Sequence, residues 1–367
     1  MHAHASIGKA MKRSRWLAEW RNSERKPVFY HCISRVVDRR FVLGAKEKEH
    51  FRMLMRMTER FSGCRVTAYC LMDNHFHLLL EVPPMAAGGI ADEELLQRLS
   101  ALYPEGYVAE VAGELQDARQ RGLDKRAEEI HGRFTYRMHD LSEFMKTLVQ
   151  RYSRWHNRIH ERTGRLWEDR FRSVIVEDGV AARTIAAYID LNPVRAGIVT
   201  EPAEYRWSSY GEAIGGGMKG NGKTARAGLV RAWGAHEGMA ADASQWLEGG
   251  VSRGYRKLLL SGAVERVSES MGRDGGTVRK TLRKGMSKPQ AAAGLDGGLP
   301  LGVMLRCRIR YFTDGAVIGS RLFVNEAFAC ARGRFGQRRK DGARAMRGEA
   351  AAARGLLWSM RDLRKGV

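Results

Sequence analysis

Hydrophobic and polar positions alternate along the chain in a way that predicts a short series of elements. Residues 28–37, VFYHCISRVV, are rich in β-branched and aromatic side chains and predict a strand. In KEKEHFRMLMRMTERF (46–61), Phe51, Leu54, Met55, Thr58 and Phe61 recur at helical spacing. CRVTAYCLM (64–72) again predicts a strand, Asp73-Asn74 turns the chain, and 75–82 (HFHLLLEV) predicts another strand. PPMAAGG then breaks the pattern, and an acid-rich helical insertion occupies 84–135. The longest helix follows over 140–160, with Leu141, Phe144, Met145, Leu148, Tyr152, Trp155 and Ile159 on its apolar face. Asp140 with Glu143 three residues on forms a capping-box pattern, and Gly164 lies just past the end. FRSVIVE (171–177) predicts a fourth strand, and DGVAARTIAAYIDLNP a helix stopped at Pro193.

The order β-α-β-β-α-β is the split βαβ arrangement of a ferredoxin-like fold. The expectation is an α+β domain over 28–210: an antiparallel sheet with helices on one face and the other face open for a site. A basic N-terminal segment (1–27) precedes it. A glycine-rich linker and helical segment (211–300) and a basic C-terminal region (301–367) follow.

Charge narrows the function. The 367 residues hold 63 Lys+Arg against 41 Asp+Glu, a net of +22. That surplus points to a polyanionic partner, nucleic acid above all. The region 301–367 carries 15 Lys+Arg and 5 Asp+Glu, a net of +10, and its RGRFGQRRKDGARAMRG stretch suits phosphate backbones. No run of about 18 uncharged apolar residues occurs, so no spanning helix is expected. The start, MHAHASIGKAMKRSRW, lacks the apolar core of a secretory signal. Five scattered cysteines without a CxxC pair read as reduced thiols of a cytoplasmic, nucleoid-associated protein.

Two histidines interrupt the apolar run LMDNHFHLLLEV (71–82). On a strand, His75, His77, Leu79 and Glu81 share one face, and Phe76, Leu78, Leu80 and Val82 share the other, which must meet the helices. The imidazoles therefore point to the open face, about 7 Å apart along the strand, and together with a third ligand they can hold one divalent cation. On the long helix Tyr152 and His156 are i and i+4 and lie on one side. If that helix crosses the sheet edge, His156 completes a three-ligand site. Tyr152 then stands beside the cation, among Arg151, Arg154 and Arg158, as a nucleophile for a phosphodiester. Magnesium and manganese suit such a site as well as zinc does. Tyr152 also continues the apolar stripe of Leu148 and Trp155, so nucleophile and core filler are both open at this point.

MDNHFHLLLEV resembles the His-hydrophobic-His (HUH) motif of the single-tyrosine transposases. YHCISR, FMKTLVQRYSRWHNRIHERTGRLWEDRFRS, YIDLNPVRAGIV and YRWSSYG are similar, in order, to motifs of the REP-associated tyrosine transposases, over roughly residues 28–211. The resemblance implies a metal-dependent HUH nuclease, with magnesium or manganese, that cleaves and rejoins single-stranded DNA near REP-like hairpins through a 5′-phosphotyrosine. It matches His75 and His77 to the HUH histidines, Tyr152 to the nucleophile, and His156 to a further metal ligand, with Asn157 as the alternative. Arg165, Arg170 and Arg172, with Arg151, Arg154 and Arg158, are the expected DNA contacts. Asn192-Pro193 reads as a helix-ending turn. A monomer or homodimer is equally compatible. The competing reading is a non-catalytic, domesticated binder of single-stranded or hairpin DNA.

Overall fold

The computed structural model describes residues 17–18, 26–216, 221–234, 242–248, 250–263, 266–271, 277–283, 310–313, 315–346 and 355–360. Most of the basic N-terminal segment, much of the glycine-rich span, Cys307 and parts of the basic C-terminal region lie outside the described residues.

β1 (Val28–Arg35), α1 (Ala45–Ser62), β2 (Arg65–Leu71) and β3 (His75–Val82) follow in the expected order. The insertion folds as α2 (Asp92–Leu99), α3 (Glu105–Gln120) and α4 (Asp124–Thr135). These three bury their own small core, Leu95, Leu99, Val111, Leu115, Ile130 and Phe134, against Phe61 at the end of α1. α5 (Leu141–Ile159), β4 (Arg172–Val176) and α6 (Val180–Asp190) complete the segment. The Asp140 side chain accepts from the Glu143 amide at 2.8 Å and caps α5 as its sequence predicts. Gly63, with φ +71°, ends α1 in the left-handed region, where a side chain would be strained.

β3 runs antiparallel between β2 and β1, and β4 pairs antiparallel with the far side of β1. The resulting order β2-β3-β1-β4 is that of a ferredoxin-like βαββαβ sheet, so the chain is an α+β protein with this core. Alternation sorts the strands into two faces. Tyr30, Cys32, Phe76, Leu78 and Leu80 form one core with Phe51 and Met55 of α1 and Phe144, Leu148 and Tyr152 of α5. Each such fully buried side chain contributes roughly 1.5–3 kcal/mol of hydrophobic stabilisation.

The opposite face departs from the expectation of an open surface. Phe29, Leu79, Val174 and Val176 are buried there by α6 and by two later helices, α9 (Asn221–Trp233) and α10 (Val251–Ala263). Between α6 and α9 lie the short helices α7 (Asn192–Ala196) and α8 (Ser209–Gly215). Nearly every residue of α6 is buried, as expected of a predominantly apolar helix sandwiched between layers. Gly228 lets α9 press on β2, since a Cβ there would stand 2.8 Å from the Val66 carbonyl oxygen. Leu229, Tyr255 and Leu258 thus belong to one core with the sheet, and the composition shift after residue 210 does not separate two cores. Among the described residues the face is left open at the end where β3 begins, around His75.

A hairpin of β5 (Arg266–Met271) and β6 (Thr277–Arg283) stands apart from the main sheet. After a helical turn at Arg310–Thr313, β7 (Val317–Gly319), α11 (Arg321–Cys330), β8 (Arg344–Ala345) and β9 (Trp358–Met360) return to it. β7 joins β4 in parallel, and the sheet then continues β7-β9-β8 to seven strands. The C-terminal region is therefore partly structural, adding strands rather than standing apart as a helical appendage.

Candidate active site

Residues opposite one another on neighbouring strands share a face, so Ile33 beside His77 and Arg35 beside His75 extend the histidine face across β1. At its uncovered end Ile33, Arg35, His75, His77 and Arg172 line a cavity of about 400 Å³. Tyr188 and Asn192, one turn apart across the junction of α6 and α7, line it as well, with Arg39, Glu168, Asp169, Arg170 and Thr313. The Tyr188 ring lies 5.9 Å from the ring of His77 and 5.9 Å from that of His31, centre to centre. Tyr188 is itself held against the Phe312 ring at 4.7 Å and beneath the Arg195 guanidinium, also at 4.7 Å.

Burial keeps both cavity histidines uncharged. Their ring centres are 5.1 Å apart. Burial first, then the nearby Arg35 guanidinium, lowers the His75 pKa to about 4, against the opposing pull of Asp73. Burial also holds His77 well below the usual histidine range, reinforced by His75 and His31. Both rings are therefore neutral at pH 7. Asn74 donates from Nδ2 to the Arg39 carbonyl at 3.0 Å, which turns its Oδ1 to His75 Nδ1 at 2.7 Å. His75 must donate from Nδ1, and its Nε2 keeps a lone pair. Asn192 gives its Nδ2 to the Tyr188 and Ile189 carbonyls, both at 3.1 Å, leaving Oδ1 as a hard oxygen donor. Among the described residues no group of three or more His, Cys, Asp or Glu side chains is arranged around a common point. A cation here would need the Asn192 oxygen or water to complete its shell.

Tyr152 and His156 are not at this cavity, which corrects the site read from sequence. Tyr152 packs its ring 5.0 Å from Phe51 and 5.9 Å from Trp167 in the core under α1 and α5, across the sheet from the histidines. It is fully buried, its Oη makes no hydrogen bond, and burial together with Glu47 pushes its pKa well above that of an exposed phenol. A phenol in that setting is a poor source of phenolate. His156 is buried one turn further on, its ring 4.3 Å from that of His160, and neither of its nitrogens has a well-formed hydrogen bond. The cause is the stripe that marks the helix: Tyr152 continues Leu148, so it goes wherever the stripe is buried. Asn157 gives its Nδ2 to the Gly164 carbonyl at 2.9 Å and borders a different cavity from the two histidines, so its Oδ1 is not beside them.

The arginines divide in the same way. Arg170 and Arg172 reach the histidine cavity. Arg170 also borders a neighbouring cavity of about 510 Å³ that includes Arg165, Lys146 and Trp167. Arg165 and Trp167 lead on to a third, of about 430 Å³, bordered by Arg154. The first two cavities share Glu168, Asp169 and Arg170 in their walls, and the last two share Gln150, Arg165 and Trp167. Arg151 is turned away, donating to the Leu102 carbonyl at 3.2 Å, and Arg158 lines none of the three. Trp207 and Tyr210 pack at β2 and α8, with Lys48 4.7 Å above the Trp207 ring.

The ferredoxin-like sheet thus carries a His-hydrophobic-His pair beside a tyrosine at one cavity. Residues 25–88, which span β1 to β3 with both histidines, match the family model described as "Transposase IS200 like". The resemblance to single-tyrosine transposases is thereby borne out for that segment. Comparison with curated proteins gives no match. A solved structure described as "Structure of the REP associates tyrosine transposase bound to a REP hairpin" is similar at 12% identity. The match covers 58% of this chain and 90% of that one, with a TM-score of 0.34. At that score the fold rests on the sheet order above. No helix among the described residues is long and apolar enough to cross a membrane.

Proposed function

We propose that the chain cleaves and rejoins single-stranded DNA, with Tyr188 as nucleophile and with His75 and His77 as ligands of a divalent cation, magnesium or manganese. The observation that carries this is the position of Tyr188, 5.9 Å ring to ring from His77, on a cavity that arginines surround. Tyr188 Oη attacks the scissile phosphorus, the O–P bond to tyrosine forms, and the bond to the 3′-oxygen breaks. This leaves a 5′-phosphotyrosine and a 3′-hydroxyl, and attack by a 3′-hydroxyl reverses the exchange and releases the tyrosine. Arg35, Arg39, Arg170 and Arg172 bind the phosphates on either side, since the guanidinium matches phosphate geometry. The neighbouring cavities bordered by Arg165 and Arg154 give the flanking strand or a hairpin stem its path. Bound by His75 and His77, beside the Asn192 oxygen, the cation would supply polarisation of the phosphate.

The test is an oligonucleotide that carries the palindromes flanking the coding sequence, incubated with Mn²⁺ and digested for mass spectrometry. A DNA adduct is expected on the peptide holding Tyr188, and Tyr188→Phe loses the adduct while still binding the oligonucleotide. An adduct on the Tyr152 peptide, or cleavage by Tyr188→Phe, refutes the assignment. Salt-sensitive binding with no cleavage by the unaltered protein would favour the non-catalytic reading.

A further inference from the structure

Behind the two cavity histidines stands a third, His31 on β1, which is fully buried. Its Nε2 lies 3.0 Å from His77 Nδ1, and the two rings stack at 5.2 Å with 22° between their planes. Its other nitrogen, Nδ1, lies 2.8 Å from the main-chain carbonyl oxygen of Phe312, in the helical turn before β7. A buried imidazole with both nitrogens committed is a costly choice for a β-strand that needs only an apolar side chain there.

We infer that His31 is a positioning residue that fixes the tautomer of His77, and that the C-terminal region sets it through the Phe312 carbonyl. A carbonyl oxygen only accepts, so His31 must carry its proton on Nδ1. His31 is wholly buried and neither of its hydrogen-bond partners is an acid, so the ring stays neutral, holds one proton, and its Nε2 is an acceptor. The group opposite that acceptor, His77 Nδ1, must then be N–H. His77 is left with the lone pair on Nε2. This is the same tautomer that Asn74 imposes on His75, so the two cavity histidines offer equivalent nitrogens to one cation. Orientation of a ligating imidazole by its other nitrogen is a general feature of metal sites. Here the orienting carbonyl comes from a turn 281 positions away in sequence from His31. The metal part of the inference rests on the function proposed above; the tautomer part does not.

The test uses the full chain with ¹⁵N-labelled histidine, without metal. Long-range ¹H–¹⁵N spectra at pH 7 are expected to show His31 and His77 both protonated on Nδ1. His77 protonated on Nε2 overturns the relay, whatever the DNA chemistry. In His31→Phe, which removes both hydrogen bonds, His77 is expected to become a tautomer mixture and Mn²⁺ affinity to fall about 10–100-fold. His31→Gln, whose side-chain oxygen can accept from His77, should restore most of that affinity, which a loss through misfolding would not do. Unchanged Mn²⁺ binding and an unchanged His77 tautomer in His31→Phe also overturn the relay. An Nδ1–H His77 in an unaltered protein that binds no Mn²⁺ supports the relay and overturns the metal-assisted function.

Discussion

Replacing Tyr152 by phenylalanine separates the two tyrosines by the sign of a stability change. The Tyr152 hydroxyl is buried and without a hydrogen-bond partner, while its ring packs on Phe51, Trp155 and Trp167. Phenylalanine keeps the ring contacts and removes only the oxygen. Burying an uncompensated hydroxyl costs about 1–3 kcal/mol on scales from protein variants. Tyr152→Phe should recover a good part of that, about 1–2 kcal/mol, which for a chain of this size is a rise in Tm of about 1–3 °C. Thermal unfolding followed by circular dichroism, with a urea midpoint as a second measure, reads the change. The same preparation should form the covalent DNA adduct at the unaltered rate. A loss of about 1 kcal/mol or more would show that the hydroxyl has a partner. If the adduct also disappeared, the exclusion of Tyr152 from the chemistry would be refuted.

Three further outcomes follow from named contacts. Glu212 is buried, accepting from Arg56 at 2.8 Å, Arg52 at 3.1 Å and the Tyr69 hydroxyl at 2.8 Å. Glu59 and Glu49 still pair with Arg56 and Arg52, so Glu212→Gln removes one of two carboxylates from each and should lower the unfolding free energy by about 1–3 kcal/mol in urea titration. His31 is neutral when buried, so the unfolded chain takes up its proton more readily. Its contribution is fully present above about pH 6.5 and lost as pH falls toward 4, by up to about 1.4 kcal/mol per unit. Urea midpoints across that window should fall more gently in His31→Gln. Arg170→Ala and Arg172→Ala should each weaken oligonucleotide binding and flatten its log–log salt dependence by about 0.7. Arg151→Ala should leave the slope unchanged, because that side chain is directed at the Leu102 carbonyl.

Strand and helix periodicity carried the core of the fold. The alternation in HFHLLLEV put His75 and His77 on one face and Phe76, Leu78 and Leu80 on the other, as in the structure. What misled was the tyrosine. Tyr152–His156 and Tyr188–Asn192 share the same one-turn spacing, and sequence offered no direct way to rank them. One signal was present: AARTIAAYI is nearly all apolar, with Arg183 its one charge, which favours a helix between two layers over one at a sheet edge. The amphipathic α5, by contrast, had one greasy side to bury, and the apolar face of β3 was the surface waiting for it.

Local pattern therefore determined the elements, their order and the direction of each strand side chain, because these follow from backbone periodicity and burial. It also made the two histidines legible, since polar side chains in a greasy strand stand out against their neighbours. Tertiary structure alone decided which tyrosine meets them, that α9 and α10 cover the rest of their face, and that the Phe312 carbonyl reaches His31. Those choices depend on how layers stack and on contacts between residues hundreds of positions apart, and no periodicity within one segment records them.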